Sequence, residues 1–233
     1  MGLHTREWGT GDRVAVLLHG MAADSGAWWR LGPELAGRGF RVVAVDQLGH
    51  GRSPRAPFAA PEEFADAVLA AVPAEPALAL GHSMGGGVLA LAVERLRPGR
   101  AVYCETAFRV PDYRLTPRDI AAALTASLGA GLGAEGWRPG PEDAEAQRAA
   151  AAAWDADTAA GFVHGVSGRD LTPPLVVPST VLVADPSVVC TPAQRTELAA
   201  AGFEVRTVPG AAHTVHQHVF EKFLATLDDR LWP

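Results

Sequence analysis

At 233 residues, with 48% hydrophobic and 20% charged side chains, the chain is long enough for one well-buried domain and too apolar for a disordered one. Its formal charge of −6 is spread over interleaved acidic and basic residues, which argues against the basic footprint of a nucleic-acid binder. No apolar run approaches the roughly 20 residues of a membrane span and the first eight residues lack the apolar core of a signal peptide, so a cytoplasmic protein without a membrane partner is expected.

The first β-branched apolar run is 14–18, followed by a helical stretch over 27–38. A second run at 41–45 leads through a polar turn, Asp46-Gln47-Leu48-Gly49-His50-Gly51-Arg52-Ser53, to a helix over 61–71 that opens on proline. The third run, 77–80, passes directly into a helix over 84–96, and a fourth follows at 101–104. Two later runs, 180–184 and 204–208, alternate with helices over 192–201 and 215–227. Each run is too short for a helix and is bounded by Gly, Pro or a charged residue. This alternation predicts an α/β fold: a doubly wound, mostly parallel sheet with helices on both faces. Ligands of such sheets bind beyond the carboxyl ends of the strands, so residues just after each run are the first candidates for chemistry.

From about 106 to 175 the alternation stops. Alanine-rich helical stretches at 117–128 and 141–160 flank a glycine-rich turn at 129–136. Trp154, Phe162 and regularly spaced charges mark the second stretch as an ordered amphipathic helix. The expected organisation is a core of 1–105 and 176–233 with a helical lid, 106–175, inserted into it. Cys104 and Cys190 lie far apart, without metal-site or disulfide spacing, and are expected to be free buried thiols.

The strongest chemical signal is Gly81-His82-Ser83-Met84-Gly85, set between a strand and a helix. A serine on so sharp a turn takes a strained backbone conformation, and a side chain at Gly81 or Gly85 would crowd it. The hydroxyl then projects above the sheet, with the helix N-terminus behind it to favour an anionic intermediate. A serine hydroxyl needs a base to take its proton. His213, in the loop Pro209-Gly210-Ala211-Ala212-His213 after the last strand, is that candidate, whereas His216 and His218 would ride on the following helix as solvated side chains.

The imidazole in turn needs a carboxylate to hold its tautomer. Asp185 follows the strand 180–184 and is preferred; Glu105 follows the strand 101–104 as directly and is the alternative. Oxyanion donors are expected from the amides of Met84, after the nucleophile, and Met21, in the loop His19-Gly20-Met21-Ala22, with the Ala22 amide as the alternative to Met21. His19 is expected to pin that loop by hydrogen bonding, and the 46–53 turn to be architectural. His19, His50 and His82 would suffice for a metal site by count alone, but they contain no i, i+4 ligand pair; neither metal nor cofactor is expected. Trp28, Phe108, Trp137 and Trp154 are candidate walls of a mostly apolar substrate pocket.

These motifs together resemble the α/β-hydrolase superfamily: His19-Gly20, Asp46-x-x-Gly49-His50-Gly51-x-Ser53, Gly81-His82-Ser83-Met84-Gly85-Gly86 and Gly210-x-x-His213. Within it the chain is similar to small lidded esterases, thioesterases and carbon–carbon bond hydrolases. The resemblance implies a Ser–His–acid triad on Ser83, His213 and one of the two carboxylates. Asp185, 28 residues before His213, suits the family's usual acid, although Ser187 stands where relatives with Gly-x-x-Asp-x-x-Val-Pro carry the aspartate. Glu105 is similar in position to the acid of haloalkane dehalogenases, while Ser83 stands where those enzymes carry aspartate and argues against dehalogenation. The expected activity is hydrolysis of an ester, thioester or lactone of a small, largely apolar substrate. A cofactor-free lyase, cyclase or carbon–carbon hydrolase on the same residues is the alternative, and a ligand-binding receptor with a vestigial triad the second; a homodimer is left open.

Overall fold

Short strands with alternating inward and outward side chains build the core. The computed structural model describes residues 2–130 and 139–227. Its seven strands are β1 (Thr5–Trp8), β2 (Arg13–Leu18), β3 (Phe40–Val45), β4 (Leu78–His82), β5 (Ala101–Cys104), β6 (Ser179–Asp185) and β7 (Glu204–Pro209). They form one sheet in the order β1-β3-β2-β4-β5-β6-β7, parallel throughout except for β1 against β3. All six expected runs coincide with strands, with Ala77 falling just before β4. β1 is additional, and its sequence explains why it is hard to read: Thr-Arg-Glu-Trp is short, polar and half exposed, as suits an edge that must not invite further strands.

The period of two divides the strand residues between two hydrophobic clusters. Val16, Leu18, Val43 and Val45 face one side with Phe64, Val88 and Leu198. Ala15, Leu17, Val42 and Ala44 face the other with Leu31, Leu35 and Phe223. The first cluster is covered by α2 (Pro61–Ala71) and α3 (Met84–Leu96), the second by α1 (Leu31–Gly37). The helix expected over 27–38 begins instead as a 3-10 turn, Ser25–Trp28, with α1 starting separately at Leu31. Pro33 has no N–H to bond back to Trp29, so a continuous helix cannot run through this point.

Between β5 and β6 lie α4 (Pro117–Ala130), α5 (Pro141–Ala152) and α6 (Ala156–Val166). The glycine-rich turn expected at 129–136 lies largely outside the described residues. One helix was expected over 141–160, and two are found, because Asp155 accepts from the Thr158 N–H at 3.0 Å and caps a new start. The segment is tied down by specific bonds: Trp29 Nε1 donates to the buried Asp143 at 2.8 Å, the Asp155 N–H donates to Gly49 at 2.8 Å, and Gln147 donates to Gln217 at 3.0 Å. The chain closes with α7 (Pro192–Ala200), α8 (Val215–His218) and α9 (Phe220–Thr226). The last two replace a single expected helix, since Val219 leaves the helical region at φ −133° and ψ 57°. No helix among the described residues is long and apolar enough to cross a membrane.

Leu17 is wholly buried and Val188 is 81% exposed. Leu17→Ala is therefore expected to cost about 2–5 kcal/mol by urea denaturation, and Val188→Ala to stay within about 0.5 kcal/mol of wild type.

Candidate active site

The register of the central strands sets two of the key positions. β4 pairs with β5 so that His82 lies opposite Cys104, which makes Ser83 and Glu105 the first residues beyond two adjacent strand tips. The Ser83 N–H still donates to Cys104 at 2.9 Å, and the Glu105 N–H to Leu182 at 2.8 Å. Ser83 sits at φ 52° and ψ −118°, outside the comfortable range of a side-chain-bearing residue. Such strain persists only where the surroundings enforce it. Here α3 begins at the very next residue and lies against the strands: a Cβ on Gly81 would come within 2.4 Å of the Gly85 carbonyl oxygen, and one on Gly85 within 2.4 Å of the Leu18 carbonyl oxygen. Glu105 and Ala22 also have positive φ, 48° and 57°, so the strained residues cluster on the loops that meet here.

His213 arrives from the loop after β7. That loop is held by the Gly210 N–H donating to the Asp185 carbonyl at 3.1 Å and by the Ala212 N–H donating to His218 Nδ1 at 2.8 Å. His213 Nε2 lies 3.0 Å from Ser83 Oγ, and its Nδ1 lies 3.2 Å from Glu105 Oε2. The Glu105 side chain is completely buried, and its second oxygen accepts from the Ala184 N–H at 2.7 Å. A carboxylate can only accept, so Nδ1 carries the proton and Nε2 is free to take the serine's.

The preference for Asp185 is corrected by this geometry: Glu105, and not Asp185, meets the imidazole. Asp185 is the last residue of β6, opposite Pro209, with its side chain turned out to solvent. Both carboxylates follow a strand, but Glu105's left-handed backbone turns its side chain into the protein while Asp185 continues the outward side of the sheet's rim.

The loop at Met21 lies against Ser83. A Cβ on Gly20 would be 3.3 Å from Ser83 Cβ and 2.7 Å from His82 Nδ1. Met84 is buried at the start of α3 and Met21 half-buried, and among the described residues neither amide N–H meets a protein acceptor. His19 shapes the loop with both ring nitrogens: Nδ1 donates to the Gly20 carbonyl at 2.7 Å, and Nε2 accepts from the Gln47 N–H at 3.0 Å. Asp46 braces the same region by accepting from the Ser25 and Arg52 amides at 2.7 and 2.9 Å. Burial works against its charge, yet these N–H groups outweigh it and hold its carboxyl below the usual range.

Around this core lies a group of buried imidazoles. His216 was expected to be a solvated helix residue; it is instead 4% exposed, wedged between Trp28, at 4.4 Å between ring centroids, and His82, at 4.8 Å. Desolvation pushes the pKa of His216 and of His50 down to about 3, and lowers those of His19 and His82 as well, so all four are neutral near pH 7. Trp28 is thereby corrected from a pocket wall to a core residue, wholly buried beneath the sheet's edge loops. Phe108 packs on Tyr103 in the core and also lines a cavity of about 90 Å³ with Thr106, Val189, Cys190 and Leu198. Trp154 is half-buried with its ring 6.4 Å from His50, and Trp137 lies outside the described residues.

A model of the alpha/beta hydrolase family matches residues 15–226. The chain belongs to the α/β-hydrolase family of enzymes. It is 42% identical over 99 residues to a pimeloyl-[acyl-carrier protein] methyl ester esterase of Methylococcus capsulatus, covering 42% of this chain and 37% of that protein. It is 33% identical over 111 residues to a non-heme chloroperoxidase of Streptomyces lividans, covering 46% and 40%. The matched stretches thus span well under half the length of these curated relatives. Among solved structures, an esterase from Thermogutta terrifontis superposes with a TM-score of 0.81 at 21% identity over 99% of this chain and 94% of that one. The enol-lactonase of Burkholderia xenovorans LB400 does so with 0.78 at 24% over 98% and 96%. At such identities these two likenesses concern the fold.

His50 and His216 give the protein a defined acid sensitivity. Their folded-state values near 3 lie below the ordinary 6.5, so the unfolded chain binds protons that the folded one refuses. Their contribution to stability is complete above pH 6.5 and is lost progressively as the pH falls towards 3. The urea midpoint is expected to drop through that window, and His216→Phe, with no proton to take up, is expected to show a shallower drop.

Proposed function

We propose that the protein is a serine hydrolase that cleaves an ester, thioester or lactone of a small substrate through an acyl-enzyme on Ser83. The observation that carries this reading is the unbroken line from Ser83 Oγ through His213, at 3.0 Å, to the buried carboxylate of Glu105, at 3.2 Å. The esterase relatives and the chain's family support it.

In the first step Ser83 Oγ attacks the substrate carbonyl carbon while His213 Nε2 takes the hydroxyl proton. The carbonyl oxygen becomes an oxyanion facing the amides of Met21 and Met84, whose N–H groups and the adjoining start of α3 stabilise negative charge. Glu105, fixed by the Ala184 amide, balances the imidazolium and keeps Nδ1–H pointed at itself. Collapse of the tetrahedral intermediate breaks the bond to the leaving alcohol or thiol, which departs with the proton from Nε2. Water then repeats the sequence on the acyl-enzyme, with His213 taking its proton and returning it to Ser83, and the acid is released. Helices α4, α5 and α6 serve in this reading as the lid that shapes the acyl site, with Trp154, next to His50, as a candidate wall.

The test is turnover of p-nitrophenyl esters, acyl-CoA thioesters and lactones by wild type and variants. Ser83→Ala is expected to lose on the order of 10⁶ in kcat. Glu105→Gln is expected to lose on the order of 10⁴, because the amide no longer fixes the tautomer. Asp185→Asn is expected to remain within about threefold of wild type, as an exposed substitution without a partner in the site. A loss in Asp185→Asn equal to that in Glu105→Gln would refute the assignment of the acid, and full activity in Ser83→Ala would refute the reading.

A further inference from the structure

Resting on the serine-hydrolase reading above, we propose that His82 is a positioning residue for the general base, holding the backbone of His213 in place through a hydrogen bond from its ring. His82 ends β4 immediately before the nucleophile and is 4% exposed. Its Nε2 lies 2.9 Å from the carbonyl oxygen of His213, 131 residues away in sequence. A carbonyl only accepts, so Nε2 bears the proton, and burial keeps the ring neutral with this tautomer fixed. Among the described residues His82 is the one donor that reaches this carbonyl.

The same ring touches the other parts of the site. Its centroid is 4.9 Å from that of His213 and 4.8 Å from that of His216, on α8. Its Nδ1 edge lies where a Cβ at Gly20 would come within 2.7 Å, so it also abuts the loop that carries Met21. One neutral side chain therefore joins the nucleophile's strand, the base's loop and the oxyanion loop. The other bonds on the base's loop hold Pro209, Gly210, Ala211 and Ala212, which leaves the carbonyl of His213 to His82 among the described residues. Since the Ser83–His213 bond spans elements far apart in the chain, an error of about 1 Å in that loop costs on the order of 10²-fold in rate.

The test uses the full chain with a p-nitrophenyl ester and compares His82→Leu, His82→Gln and His82→Asn with wild type and Ser83→Ala. Leucine fills the space and donates nothing; glutamine carries an N–H at the position of Nε2; asparagine's N–H falls one bond short. His82→Leu is expected to lower kcat about 10- to 100-fold with KM within about threefold of wild type, and His82→Gln to stay within about fivefold of wild-type kcat. Wild-type kcat in His82→Leu, a loss in His82→Gln as deep as in His82→Leu, or a rise in KM with kcat unchanged would each overturn the proposal. Should the leucine variant not fold, the amide pair decides: active glutamine with impaired asparagine supports the role, and equal activities overturn it. Wild-type turnover that Ser83→Ala abolishes keeps the underlying reading intact whichever way His82 falls, whereas absence of wild-type turnover on esters, thioesters and lactones would remove both.

Discussion

Parallel pairing of β4 with β5 is the constraint from which the site follows. With His82 opposite Cys104, the residue after each strand emerges at the same level of the sheet, one strand spacing apart. A slip of one residue would turn Ser83 or Glu105 to the wrong face. The pairing is secured by burial on both sides, with Leu80 and Val102 in one cluster and Ala79, Ala101 and Tyr103 in the other, so hydrophobic packing fixes the spacing of Ser83 and Glu105.

Against that fixed edge, the remaining parts are held by polar bonds that leave little latitude. Glu105 is buried yet satisfied on both oxygens, by the Ala184 amide and the His213 ring. An unpaired buried carboxylate would be costly, so the same bonds that orient His213 also make the buried position of Glu105 tolerable. The surrounding imidazoles are kept neutral by desolvation, which removes competing charge from the neighbourhood of His213 and leaves Glu105 as its buried electrostatic partner. Positive φ at Ala22, Ser83 and Glu105 marks the places where the backbone itself bends to this arrangement.

Much of this was legible in the sequence. Six strands, the two helices at 61–71 and 84–96, the serine on its glycine-flanked turn and the histidine beyond the last strand are local patterns, written in consecutive residues. What escaped was decided by tertiary structure. Asp185 and Glu105 are equivalent by spacing, since each follows a strand; only the adjacency of β5 to β4 and the left-handed turn at Glu105 separate them. His216 read as a solvated residue because a histidine at the start of a helix carries no sign of the Trp28 and His82 rings that enclose it. The helix breaks near Arg30, Trp154 and Val219 came from Pro33, the Asp155 cap and a β-branched residue outside helical geometry, and the first two of these signals were present in the sequence.

The most direct test of the account is a crystal structure of the protein after reaction with an ethyl p-nitrophenyl phosphonate. The account predicts phosphorus bonded to Ser83 Oγ, the phosphoryl oxygen within hydrogen-bond distance of the Met21 and Met84 amides, and His213 still bonded to Glu105. Phosphorus bonded to another residue, or His213 turned away from both Ser83 and Glu105, would contradict it.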